Sequence, residues 1–220
     1  MLDAIQHVLG QESYGWHSLF GETGKSALAW SLCRLRDTQR ATLIVELGEP
    51  YDYRQVAFWS KIPEQNIVVL SSRQNVLADV VELCKTGDIG QVLFENLGFL
   101  LGSGKMLPEV ENRLGDVTDF FELTSLAERL DIAYYATSFA VVDFLAKPGL
   151  GKERVLGGRL LEELAVEKKL KIKRTALLHR HGVNVGEKFR VQNMLTGAVC
   201  TYRVMYESGP IKIDPIRPII

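Results

Sequence analysis

The order of apolar and amphipathic segments predicts an α/β domain with a mainly parallel sheet, flanked by helices and extended by C-terminal antiparallel strands. In the N-terminal part of the chain, apolar strand-like segments alternate with helical ones, which is typical of a parallel sheet with crossover helices. From Leu164 onward, strand-like segments follow one another in series, which is typical of an antiparallel meander. A glycine-rich turn joins one of the early strands to the helix that follows it.

The individual elements follow from hydrophobic periodicity. Apolar residues at helical spacing predict helices at 2–9, 26–36, 53–62, 75–86 and 107–130. Short apolar or β-branched runs predict strands at 17–20, 41–47, 66–70, 90–94 and 132–137, followed by the series 164–174, 175–178, 189–193 and 200–206. The segment 142–158 contains Pro148 and several charges, which predicts a loop.

Length and composition indicate one globular domain over residues 1–220. The 220 residues are 46% hydrophobic and 24% charged, and no low-complexity linker divides them. Since the formal net charge is −1, any contact with nucleic acid has to come from a local basic patch. The N-terminus lacks the pattern of a signal peptide, and no apolar run is long enough to cross a membrane. We therefore expect a cytoplasmic protein with no membrane partner.

The cysteines indicate reduced thiols in the core. Cys33, Cys84 and Cys200 are odd in number, far apart, and form no Cys-x-x-Cys pair. None of the four histidines lies at metal-ligand spacing from them. A structural zinc site is therefore not expected.

The strongest local motif is a phosphate loop at Gly21, Glu22, Thr23, Gly24, Lys25 and Ser26. Glycines allow successive backbone N–H groups to face phosphate oxygens, and the N-terminus of the following helix adds a positive dipole end. Lys25 would neutralise the outer phosphates of ATP, and the Ser26 hydroxyl would bind Mg²⁺.

The spacing of this loop departs from the usual pattern of glycine, four residues, glycine, lysine and serine or threonine. Gly21 precedes Gly24 by only three positions, and Leu19 occupies the place of the usual first glycine. The alternative interpretation is a glycine-rich turn between strand and helix that carries a chance Lys-Ser pair. The surrounding strand and helix favour the phosphate loop.

Beyond the loop, the order of segments resembles the RecA/RadA recombinase core over most of the chain, in a minimal single-domain form. The segments that carry the resemblance are LDAIQHVLG, ATLIVELGEPYD, VVELCKTGDIGQVLFENLGFLL, IAYYATSF, GLGKERVLGGRLLEELAVEKKLKIKR and FRVQNMLTG with YRVMYESGPIK. They are similar, in this order, to the family's entry segment, second strand, Walker B unit, polar sensor strand, second DNA-binding loop and final hairpin. The resemblance implies a RecA-like P-loop ATPase core with ATP and Mg²⁺ as cofactors.

Carried over by position, the resemblance implies altered catalytic residues. The acid that supports Mg²⁺ would be Glu95 in place of aspartate, and the sensor amide would be replaced by Thr137 or Ser138. The general base would fall at Glu46, Gly48 or Glu49, of which Glu49 matches best. The alternative is that Glu46 and Glu49 are solvated turn residues. We therefore expect nucleotide binding with weak or absent hydrolysis, because turnover needs a metal, a positioned water and a charge clamp together.

Basic residues among glycines predict a DNA contact at Lys147, Lys152, Arg154 and Arg159. The same loop is also compatible with contact to a neighbouring subunit's nucleotide. A denser lysine run at 168–174 alternates with apolar residues, as in a strand. The favoured interpretation is a solvated sheet face without a binding role. The cluster His179-Arg180-His181 ends this strand and is read as a polar turn.

Three functions follow from these features. The first is a RecA-like nucleotide-binding protein in DNA recombination or repair that binds single-stranded or double-stranded DNA or assists a recombinase. The second is a non-catalytic scaffold that binds a recombinase or repair polymerase, and the third is an active DNA-dependent ATPase. Homo-oligomers are compatible with each of them.

Overall fold

The computed structural model describes residues 14–21, 23–36, 39–47, 57–58, 60–71, 75–97, 118–142, 153–155, 166–206 and 209–214. In these ranges, the long helices are α1 (Lys25–Leu35), α2 (Val76–Lys85) and α3 (Thr118–Leu130), and a 3-10 turn spans Glu64–Asn66. The strands are β1 (Gly15–Gly21), β2 (Ala41–Glu46), β3 (Ile67–Leu70), β4 (Ile89–Glu95), β5 (Ala133–Val142), β6 (Glu153–Val155), β7 (Val166–Arg180), β8 (Val183–Asn193), β9 (Val199–Met205) and β10 (Gly209–Asp214).

The ten strands form one sheet in the order β10-β9-β8-β7-β1-β5-β4-β2-β3, with β6 paired to β5. The strands from β3 to β7 along this order pair in parallel. From β7 to β10 the pairing is antiparallel. The predicted fold class, a mainly parallel sheet with helices and a C-terminal antiparallel extension, is therefore confirmed. That residues 1–220 form one domain remains a prediction.

Hydrophobic clusters cover both faces of the sheet because successive strand residues point to opposite sides. On one face, α2 and α3 contribute to the cluster that contains Trp16, whose indole N–H donates to the Thr124 Oγ1 at 2.9 Å. On the other face, α1 packs against the parallel strands and against Phe189 and Tyr202 of the antiparallel extension. Leu43 and Ile44, neighbours on β2, lie in different clusters. α1, which follows the glycine-rich turn, thus contacts both the parallel strands and the antiparallel extension.

The C-terminal strands differ most from the sequence-based assignment. A single strand, β7, replaces the two predicted at 164–174 and 175–178, and it passes through an irregularity between Arg174 and Ala176. β6 lies within the segment predicted as a loop, where it pairs with the end of β5, and β10 was not predicted. β6 has only three residues, and the registers of β7 with β8 and of β10 with β9 shift at irregularities, so hydrophobic alternation alone does not define these strands.

Two predicted helices are covered only in part. Of 107–130, the structure describes α3 from Thr118, and of 53–62 it describes helical residues at 57, 58 and 60. The helix predicted at 2–9 lies outside the described residues. No helix within the described ranges is long and apolar enough to cross a membrane.

The cysteines carry free, buried thiols, as predicted. Burial raises the pKa of both Cys84 and Cys200 to about 11. For Cys33, burial and then the nearby Glu95 carboxylate raise the pKa further. The reactive thiolate is therefore scarce in the folded protein at neutral or mildly alkaline pH.

We expect an aromatic disulfide reagent to label the native protein at pH 8 far more slowly than the urea-unfolded protein. Unfolding exposes the thiols and returns their pKa toward the ordinary range, which restores the thiolate. Absorbance of the released thiol measures the rate and the stoichiometry. Rapid labelling of all three cysteines without denaturant would contradict the buried positions.

Candidate nucleotide-binding site

The candidate site lies where the parallel strands end at their carboxyl termini. β1 ends at Gly21, β2 at Glu46 and β4 at Glu95. Glu46 is in register with Glu95, and Phe20 is in register with Ser138 on β5. Parallel strands carry ligands beyond their carboxyl ends, so this edge is where the fold favours binding.

The two glycines of the loop occupy positions where a side chain would clash. A Cβ on Gly21 would collide with the carbonyl oxygen of Ile172 on the adjacent strand β7. Gly24 has φ +81°, and a Cβ there would lie 2.6 Å from Cε1 of Phe189. The Gly24 carbonyl accepts the Leu28 N–H at 3.1 Å, so Gly24 caps the N-terminus of α1. The connection between β1 and α1 is therefore tight, and glycine is the residue that fits at both positions.

The lysine of the loop folds back over the turn. Lys25 is buried, and its ammonium group donates to the Gly21 carbonyl at 3.1 Å. It is also the first residue of α1, where unsatisfied backbone N–H groups and the helix dipole favour an anion. A positive side chain and a positive helix end therefore converge on the same loop. Glu22 lies outside the described residues.

Ser26 joins the loop to the carboxylate at the end of β4. Its Oγ donates to Glu95 Oε2 at 3.0 Å, and the Thr137 Oγ1 donates to the same oxygen at 3.3 Å. Thr137 also accepts the Asn96 backbone N–H at 2.8 Å. The buried Glu95 carboxylate is thus oriented by hydroxyls from α1 and β5. Hydroxyl and carboxylate oxygens are the donors that Mg²⁺ prefers, so the predicted metal residues fit this ion.

Glu46 is the acidic residue on β2 that the structure brings next to this group. It is buried at the end of the strand, and the Ser71 hydroxyl donates to its Oε2. Of the general-base candidates, Gly48 and Glu49 lie outside the described residues, so the role of Glu49 remains a prediction. The sequence signal for Glu46 is its position at the end of a predicted strand, as for Glu95.

The two sensor candidates are adjacent on β5 but have different surroundings. Thr137 hydrogen-bonds Glu95, whereas the buried Oγ of Ser138 has no hydrogen-bond partner in the described part of the chain. Side chains of neighbouring strand residues point to opposite faces, which explains the difference. A catalytic role for Ser138 remains a prediction, and Thr137 is the hydroxyl that contacts the acidic group.

The predicted DNA-binding residues lie mostly outside the described ranges. Arg154 is on β6, in register with Val141 of β5. Lys147, Lys152 and Arg159 are outside the described residues. Their contact with DNA therefore remains a prediction.

We expect Gly24→Ala to lower the free energy of unfolding by about 3 kcal/mol, because it adds a clash with the buried Phe189 ring to a left-handed backbone. The matched control is Gly87→Ala, since Gly87 also has φ +81° but a Cβ there meets nothing within 4 Å. The control should cost about 1 kcal/mol. Urea titration of both variants measures the difference, and equal losses would contradict the tight packing under the loop.

No family model matches the sequence, and no curated protein matches it. Among solved structures, the chain is similar to a crystal structure of the RadB recombinase. The TM-score is 0.63 at 14% sequence identity, and the match covers 97% of each chain. The chain therefore has the RecA-like fold that the order of its segments predicted.

Proposed function

We propose that this protein is a RecA-like nucleotide-binding protein of DNA recombination or repair, which binds Mg²⁺–ATP and DNA and hydrolyses ATP weakly or not at all. One observation carries the nucleotide part of the proposal. Ser26, at the N-terminus of α1, hydrogen-bonds Glu95 at the end of β4, which brings the proposed phosphate loop next to the carboxylate proposed to bind Mg²⁺.

The charges of the site favour a nucleotide phosphate with a divalent cation. Lys25 and the N-terminus of α1 supply positive charge for phosphate oxygens. Ser26 and Glu95 would hold the cation, and the Glu46 carboxylate lies on the adjacent strand, in register with Glu95. When bound, Mg²⁺ supplies positive charge that offsets both the phosphates and the buried carboxylates.

Weak turnover follows from the residues around that site. The phosphate loop is two residues shorter than usual, which leaves fewer backbone N–H groups for the phosphates. Thr137 and Ser138 offer single hydroxyls where an amide would reach further. Glu46 is buried and accepts a hydrogen bond from Ser71, which restrains the carboxylate that a water would need.

The DNA part of the proposal is supported by a basic arm, defined here as residues 173–190. β7 pairs with β1 up to Ile172 and then continues to Arg180, so the arm extends about 25 Å past the end of β1 on the side of the phosphate loop. It contains one glutamate and five cations, which are Lys173, Arg174, Arg180, Lys188 and Arg190. Arg174 pairs with Glu187 at 2.9 Å, and Lys173, Arg180 and Arg190 are exposed. Exposed cations can bind the phosphates of a nucleic-acid backbone without reading its base sequence.

The nucleotide test compares Mg²⁺–ATP binding by the wild type, by Lys25→Ala and by the exposed control Lys61→Ala. Because Lys25 supplies a charge-assisted contact to phosphate, its removal should weaken binding roughly ten-fold or more. Lys61→Ala should bind as the wild type does. Isothermal calorimetry gives the affinities, and phosphate release with and without single-stranded DNA gives the turnover.

A wild-type protein that does not bind Mg²⁺–ATP would refute the nucleotide role and favour a scaffold that binds a protein partner. Rapid DNA-stimulated hydrolysis that Lys25→Ala abolishes would instead support an active ATPase and contradict weak turnover.

The DNA test uses three double variants that each remove two positive charges. Lys173→Ala with Arg180→Ala tests the basic arm, and Lys152→Ala with Arg154→Ala tests the loop predicted from the sequence. Lys61→Ala with Arg129→Ala is the exposed control. For single-stranded DNA, each lost phosphate contact should reduce the slope of log affinity against log salt by about 0.7. Fluorescence anisotropy over a salt series measures the slopes of the wild type and of the three variants. Equal slopes for all four proteins would show that neither the basic arm nor the predicted loop contacts DNA.

A further inference from the structure

Two aromatic side chains of the antiparallel extension lie directly beneath the phosphate loop. Phe189 on β8 and Tyr202 on β9 stack with ring centroids 5.0 Å apart and an interplanar angle of 21°. Both are buried, and the Phe189 ring leaves no room for a Cβ at Gly24. The Tyr202 hydroxyl donates to the Gly24 carbonyl at 2.8 Å. The C-terminal strands thus contact the backbone of the loop itself.

This hydrogen bond constrains the peptide unit that begins α1. The Gly24 carbonyl and the Lys25 N–H belong to one planar trans peptide and point in opposite directions. The carbonyl accepts both the Leu28 N–H, at 3.1 Å, and the Tyr202 hydroxyl. With the carbonyl held on the helix side, the Lys25 N–H is directed to the open side of the loop, where a phosphate would bind.

The donor in this bond is stable over the whole physiological range. Burial raises the pKa of Tyr202 well above its ordinary value, and the neighbouring Cys200 and Glu187 add to the effect. The phenol therefore stays protonated and continues to donate. Its ring is clamped by Phe189, so the hydroxyl has little freedom to leave the carbonyl.

We propose that Tyr202 is a positioning residue of the nucleotide site, which orients the Gly24–Lys25 peptide so that its N–H faces the phosphate. The proposal rests on the proposed function, because it assigns Tyr202 a part in Mg²⁺–ATP binding. It gives the antiparallel extension a direct role in the phosphate loop, where a shortened loop has fewer of its own residues to hold the backbone.

The test compares Tyr202→Phe with the matched control Tyr134→Phe. Each variant removes one buried hydroxyl and keeps the ring. The Tyr134 hydroxyl contacts the Cys84 Sγ at 4.0 Å and lies in the hydrophobic cluster on the other face of the sheet. Tyr202→Phe should weaken Mg²⁺–ATP binding roughly three- to ten-fold, as expected for the loss of one buried hydrogen bond. Tyr134→Phe should bind as the wild type does.

Amide hydrogen exchange of the ligand-free proteins provides a second measurement that does not depend on nucleotide. Tyr202→Phe should speed exchange in the first turns of α1, residues 25–30, and leave α2 unchanged. A purely structural role would lower the unfolding temperature without changing the Mg²⁺–ATP affinity or this local pattern.

The outcomes separate this inference from the proposed function. Unchanged affinity in Tyr202→Phe, or equal losses in both variants, would overturn the positioning role while leaving nucleotide binding intact. If the wild type itself does not bind Mg²⁺–ATP, the proposed function fails and the positioning role fails with it. The positioning role is supported if Tyr202→Phe, but not Tyr134→Phe, binds Mg²⁺–ATP more weakly and exchanges faster in residues 25–30.

Discussion

The parallel register of β1, β5, β4 and β2 is the constraint on which the candidate site depends. It places the end of β1 and the carboxylates of Glu46 and Glu95 at one edge of the sheet, although they come from distant parts of the sequence. Hydrophobic clusters on both faces hold these strands in line. A shift of one residue in any strand would turn its functional side chain to the opposite face. The register that packs the core therefore also sets the geometry of the site.

The charged groups buried at that edge are stabilised by hydrogen bonds. Two carboxylates and a lysine ammonium are removed from water, which is unfavourable unless polar groups or ligands compensate them. Hydroxyls of Ser26, Thr137 and Ser71 bond the carboxylates, and the Gly21 carbonyl bonds the ammonium. Such a preorganised group of opposite charges is suited to bind phosphate and a cation together.

The antiparallel extension contributes more than additional sheet. Its inner face supplies Phe189 and Tyr202, which support the phosphate loop from below. Its first two strands continue beyond the loop as the basic arm. One structural unit thus contacts the proposed nucleotide site and also carries an exposed positive surface.

The sequence by itself determined the fold class, the glycine-rich turn between β1 and α1 and the buried strands, because these depend on local periodicity and on glycines flanked by strand and helix. For this reason, the predicted bounds of β2 and β4 lie within one residue of the observed ones. Tertiary structure alone decided the pairing of β6 with β5, the continuity of β7, and the register that opposes Glu46 to Glu95. It also decided the contact of Tyr202 with Gly24, which joins residues 178 positions apart. The Glu46–Glu95 register and the Tyr202–Gly24 contact arise from packing between distant segments, and no local pattern in the chain encodes them.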